Sequence, residues 1–187
     1  MITINTTHTP SEARQDVLSA YAQLAMRSTM SDVSKAATWY GDARDVALEV
    51  AHNLNSSVEV GACIVASFSP RQEWKRNVDN AIAFSKGKHV PGLSNNMTMA
   101  NNSLTMGFDA LNGQKTNAFA RNIAGDTDAV TIDVWMIRAA GFDASKGVNK
   151  SDYNLLADCV REVAKAFGIT PSVMQALIWV VLRGSAE

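Results

Sequence analysis

Apolar residues recur three and four positions apart along most of this chain, and no segment alternates at period two for long. A period near 3.6 lines up one face of a helix, whereas a half-buried strand needs period two. Val17, Leu18, Tyr21, Leu24 and Ala25 form one such face, and Val46, Ala47, Val50 and Leu54 another. Leu155, Leu156, Cys159, Val160, Val163 and Phe167 form a third, and Val173, Leu177, Ile178, Val180 and Val181 the last. Val58 to Phe68 is apolar almost throughout. Strand and buried helix both fit so short a run; small Gly61, Ala62 and Ala66 in a helical neighbourhood decide for a tightly packed helix.

Polar residues set the boundaries. Thr9-Pro10-Ser11-Glu12 reads as a helix start and Ser31-Asp32 as the next, with Gly41-Asp42 a candidate interruption before Ala43 to Leu54. Ser69-Pro70-Arg71-Gln72 stops one helix and starts another at Arg71, because proline disfavours helix in the residue before it and suits a first turn. That helix carries Trp74, Val78, Ala81 and Ile82 inward. Ser85 to Leu93 is a basic loop, and Asn95 to Ala110 is a helix without one clean stripe that leads to a turn at Asn112-Gly113. Gln114 to Ala124 is helical, Gly125 to Asp128 is a polar elbow, and a second helix opens near Thr131. Ser151-Asp152 caps a helix ending at Gly168, and Thr170-Pro171 starts the last. The sum is an all-α fold of about eight to ten helices, given ordinary helix lengths. It is expected to form a single compact domain over residues 1–187, with residues 1–8 loose.

Composition narrows the classes. Hydrophobic residues at 47% and charged ones at 19% suit an ordinary globular chain with a buried core. A formal net charge of -1 argues against a protein that coats nucleic acid by bulk charge, and leaves room for a DNA enzyme with local cations. Cys63 and Cys159 each sit inside an apolar helical pattern and read as buried small residues. His8, His52 and His89 have no partner cysteines at zinc spacing, so neither a metal nor a cofactor is expected. No apolar run reaches membrane-span length, and Met1 to Asn5 lacks the features of a signal peptide. The expected location is the cytoplasm, with no membrane partner.

The chemistry concentrates between Leu111 and Gly141. Lys115 falls in the first turn of one helix and Asp133 at the start of the next. An amine beside the positive end of a helix dipole is disfavoured in its charged form, and a partly neutral amine is a nucleophile. A carboxylate nearby can hold charge or move protons for it. Gly113 and Gln114 leave backbone N–H groups free to face a phosphate. The plainer alternative is a solvated lysine and an aspartate that merely caps its helix.

These residues resemble a family, the helix-hairpin-helix DNA glycosylases of the endonuclease III type. Its signature is a hairpin ending in Gly-x-Lys, a helix, and a second helix beginning Val-Asp-Thr-His-hydrophobic-x-Arg. Gly113-Gln114-Lys115-Thr116 and Ile132-Asp133-Val134-Trp135-Met136-Ile137-Arg138 match it, with no gap between Lys115 and Asp133. The hairpin Asp109-Ala110-Leu111-Asn112-Gly113 keeps only the family's last glycine, and Val134-Trp135 replaces its Thr-His. The Ser69-Pro70-Arg71-Gln72 element also resembles a family segment that reaches toward DNA. The short, divergent chain looks like a bacteriophage version, and its two cysteines cannot hold the four-cysteine iron–sulfur cluster of many members.

The resemblance implies a DNA glycosylase with AP-lyase activity and a helix-hairpin-helix element. Lys115 would attack C1′ of the damaged nucleotide, with Asp133 assisting. Gly113, Gln114, Thr116, Arg71 and Gln72 would contact DNA, and Trp39, Tyr40 or Trp135 would line a base pocket. Large aromatics more often fill cores than stack on ligands. Two other readings stay open: a non-catalytic DNA-binding or inhibitory module on the same fold, and an enzyme of phage base hypermodification or nucleotide processing.

Overall fold

Helices carry the chain, which is described here by a computed structural model covering residues 12–90 and 94–184. Among the described residues there are nine α-helices, two short 3-10 turns and no strand, so the fold is all-α. They are α1 (Arg14–Met26), α2 (Met30–Asn53), α3 (Val58–Phe68), α4 (Trp74–Ser85), α5 (Ser94–Met106), α6 (Gln114–Ala124), α7 (Val134–Ala139), α8 (Lys150–Phe167) and α9 (Pro171–Arg183). The 3-10 turns are Gly107–Ala110 and Ala144–Lys146. The described residues divide into two compact units, one of residues 12–39 and 127–184, the other of residues 40–90 and 94–126.

In the first unit α1 packs on α8 and α9, and α7 packs on α9. Val17, Tyr21, Met136, Leu156, Val160, Met174 and Ile178 are buried at its centre, and burial of each such side chain contributes about 1.5–3 kcal/mol. The buried Tyr21 hydroxyl donates to the Met136 carbonyl at 3.1 Å. The Trp39 and Trp179 rings pack with centroids 5.3 Å apart. Thr170 Oγ1 accepts the Val173 amide at 3.4 Å, and Pro171 fits the first turn of α9. Asn149, rather than Ser151, is the cap of α8, accepting the Asp152 amide at 2.9 Å.

In the second unit α3 is the hub, packed against α4, α5 and α6. All of Gly61 to Phe68 is buried. A Cβ on Gly61 would run into the Ala47 carbonyl oxygen of α2, so glycine there permits a close backbone approach. Phe68 and Phe84 close one side with ring centroids 5.8 Å apart. Ser57 caps α3 by accepting the Val60 amide. The Arg44 guanidinium donates to the carbonyls of Ile123 and Ala124, a cation placed at the C-terminal end of α6.

Several boundaries differ from the sequence reading. Helix α2 runs through Gly41 without a break, because tertiary packing of Ala36, Ala43 and Ala47 outweighs the roughly 1 kcal/mol that a mid-helix glycine costs. Helix α4 starts at Trp74, three residues later than expected, because Arg71 takes φ 61, outside the helical region. Helix α7 opens at Val134 and not near Thr131. The helix start expected at Thr9-Pro10-Ser11 and the loose residues 1–8 lie outside the described residues.

Candidate functional site

Helix α6 presents Lys115 in its first turn, half-buried. Gly113 precedes the helix at the cap position with φ -89 and ψ 130 and has no side chain with which to cap the first turn. That φ is open to any residue, so the glycine is not required by conformation. A Cβ there would meet only Thr116 Oγ1, at 3.6 Å. What glycine does is add no side chain of its own at the positive end of the α6 dipole, where an anion is favoured. Asn117 fixes the approach to this end: its amide nitrogen donates to the Phe108 carbonyl at 3.0 Å, and its oxygen accepts Arg121 Nε at 2.8 Å. The Arg121 guanidinium in turn lies 4.5 Å over the Phe108 ring. Among the described residues, no hydrogen bond or ion pair engages the Lys115 ammonium.

Asp133 belongs to the other unit and caps α7. Its Oδ1 accepts the amides of Trp135 at 2.9 Å and Met136 at 3.0 Å. Both bonds fall on one oxygen, and among the described residues Oδ2 has no partner. The residues that lead to it are buried although not helical: Ala129, Val130, Thr131 and Ile132 are each at most 9% exposed. Buried backbone needs partners. Tyr153 of α8 supplies two of them, donating its hydroxyl to the Val130 carbonyl at 3.0 Å and accepting the Ile132 amide at 3.2 Å. Arg161 donates to the Asp128 carbonyl at 3.2 and 3.1 Å, and Thr127 O accepts the Ser172 amide at 3.0 Å. Burial pushes the Tyr153 hydroxyl up to about 12, so it stays protonated and able to donate.

The remaining expected residues fall in different surroundings. Arg71 is exposed and holds a positive φ, in a turn where the Gln72 amide donates to the Ser69 carbonyl at 3.3 Å. A non-glycine residue in that region is held there at a cost, and such strain concentrates at functional turns. Gln114 and Gln72 are half-buried, and Thr116 is buried at 9% exposure. Trp39 and Tyr40 spend ring faces on Trp179 and Phe119, at 5.3 and 6.3 Å. Trp135 differs: Arg138 lies 4.8 Å and Arg183 5.5 Å from its ring centre, and it borders a cavity of about 510 Å³. Lys115, Gly113, Gln114, Thr116, Arg71, Gln72 and Tyr40 are thus carried by one unit, and Asp133, Trp39 and Trp135 by the other.

Sequence reasoning missed Tyr153 and Asn117 as positioning residues. Tyr153 stands three before Leu156 on the apolar face of α8, and a tyrosine on such a face signals a hydroxyl in need of a buried partner. Cys63 and Cys159 are buried free thiols, both pushed up by burial, to about 12 and about 11. Among the described residues no group of three or more His, Cys, Asp or Glu could hold a metal ion, and no single helix is long and apolar enough to cross a membrane. Among curated proteins and solved structures alike, nothing matches the chain. A family model does, over residues 2–186, and the chain therefore belongs to a family of unknown function, DUF7178.

Proposed function

We propose that the protein is a DNA glycosylase that releases a modified or damaged base and then acts as an AP lyase. The observation that carries the reading is the state of Lys115: half-buried, in the first turn of α6, and engaged by no partner among the described residues. A lysine in the first turn of a helix, with no carboxylate engaging it, is placed for nucleophilic attack.

In this reading the Lys115 amine bonds to C1′ of the target nucleotide. The base leaves with the electron pair of the glycosidic bond and takes up a proton. The sugar ring opens to a protonated Schiff base, from which strand cleavage follows. The target base must leave the stack for this attack. Taken on its own unit, the free Asp133 oxygen can hold a positive charge or accept a proton, the assisting role that Asp133→Asn tests. The positive end of the α6 dipole, behind Gly113, favours a DNA phosphate, and Arg71 with Gln72 meets the strand from the α3–α4 turn.

The test is release of free base from a panel of modified duplexes, read by mass spectrometry, for the wild type and for Lys115→Ala and Asp133→Asn. The reading expects one released base class, lost with either substitution. Because Asp133 Oδ1 is committed to the α7 cap, a second reading is a DNA-binding module without catalysis, in which Lys115 contacts phosphate. Bound DNA with no base released from any duplex is its signature.

A further inference from the structure

The cavity beside Trp135 is lined entirely by residues of the first unit. Its volume of about 510 Å³ is that of a small-molecule site. Leu24, Phe142, Leu182 and Trp135 make its walls apolar, and the charged groups that line it are the guanidiniums of Arg27 and Arg138. No carboxylate lines it among the described residues. Neither guanidinium has a hydrogen bond or ion pair among those residues. Both arginines are exposed at helix ends, Arg27 as the cap residue after α1 and Arg138 in the last turn of α7. A helix C-terminus carries roughly half a negative charge, less than each guanidinium's full positive one, so the mouth stays positive.

The Arg138 guanidinium lies 4.8 Å from the Trp135 ring centre, a cation–π contact that holds it at the cavity without using its N–H groups. Two guanidiniums lining an otherwise apolar cavity, with no carboxylate beside them among the described residues, suit a phosphate. The third polar side chain is Gln23, whose amide nitrogen donates to Ser19 Oγ at 3.2 Å. That leaves its amide oxygen as an acceptor for an N–H at the edge of a flat ring. We infer that this cavity binds a nucleoside monophosphate, with the base among Leu24, Phe142 and Leu182 and the phosphate on Arg27 and Arg138. The inference stands apart from the glycosylase reading, since a Lys115→Ala chain keeps the cavity and the two fail separately.

Calorimetric titration of the full chain with thymidine and deoxyadenosine 5′-monophosphates tests it. Saturable one-to-one binding is expected, weakened about tenfold or more by Arg27→Gln or Arg138→Gln, the effect of losing a charged hydrogen bond. Arg138→Lys should retain more affinity than Arg138→Gln, and both arginines are exposed, so circular dichroism should match the wild type. Thymidine and inorganic phosphate should each bind more weakly than the monophosphate. No saturable binding of either monophosphate overturns the proposal. So does binding unchanged in the Arg27→Gln/Arg138→Gln double variant, or decanoate binding tighter than the monophosphates.

Discussion

Tyr153 accepts the Ile132 amide on its hydroxyl oxygen at 3.2 Å, one residue before Asp133. The same hydroxyl donates to Val130, so a single side chain satisfies both a buried N–H and a buried C=O of the extended segment that delivers the carboxylate. Tyr153→Phe removes both partners and keeps the ring. Leaving buried backbone groups unpaired costs about 1–3 kcal/mol. Urea unfolding should show a lower midpoint at unchanged slope. If Asp133 acts on DNA, base release should fall further than this loss of stability accounts for.

Alkaline stability follows from four buried acids, among them Tyr21, which burial pushes well above the ordinary tyrosine value. Tyr153 and Cys63 are pushed up to about 12 and Cys159 to about 11, from ordinary values of 10.0 for tyrosine and 9.0 for cysteine. Each is neutral in the fold at a pH where the unfolded chain has released its proton. The stability they contribute is therefore fully present below about pH 9 and is lost as pH rises from 9 to 12. Chemical denaturation across this range should give a plateau to pH 9 and a decline above it. Cys63→Ala and Cys159→Ala should make the decline shallower.

Two glycines in the second unit should respond with opposite signs. Gly61→Ala drives a Cβ against the Ala47 carbonyl oxygen, and overpacking of this kind typically costs about 1–3 kcal/mol. Gly41 lies mid-helix with nothing within 4 Å of a built Cβ, so Gly41→Ala should stabilise by up to about 1 kcal/mol. Thermal melts of the two variants check both signs at once.

Arg71 separates backbone from charge. Its φ of 61 costs an ordinary residue about 1–2 kcal/mol, a cost that glycine escapes. Arg71→Gly should raise the melting temperature while weakening DNA binding, and it should flatten the salt dependence of binding by about one phosphate contact. An Arg71→Gly chain that binds DNA as tightly as the wild type would remove Arg71 from the interface.

The helices were legible wherever one apolar face faced a core, as with Leu156, Val160 and Val163 in α8, because burial and period agree there. Gln114 to Ala124 was legible to the residue, since Gly113 and the left-handed Gly125 bracket it. The start of α4 was not. A proline rule places it at Arg71, and only tertiary packing decides that Arg71 turns left-handed instead. Residues 129–132 were not either. Their burial without helix depends on a hydroxyl twenty-odd residues away on α8, a long-range contact that no local period encodes. For Lys115 the sequence showed the helix start, and the structure adds its half-burial and its lack of a partner among the described residues.

Borohydride trapping reports whether Lys115 is the nucleophile. Wild-type protein is incubated with duplexes carrying modified bases or an abasic site, reduced with borohydride and separated on a denaturing gel. The account predicts a covalent protein–DNA adduct whose peptide map places the DNA on Lys115, and no adduct for a Lys115→Ala chain that retains its helical circular dichroism. An adduct of equal yield in Lys115→Ala, or one mapped to another lysine, would contradict it.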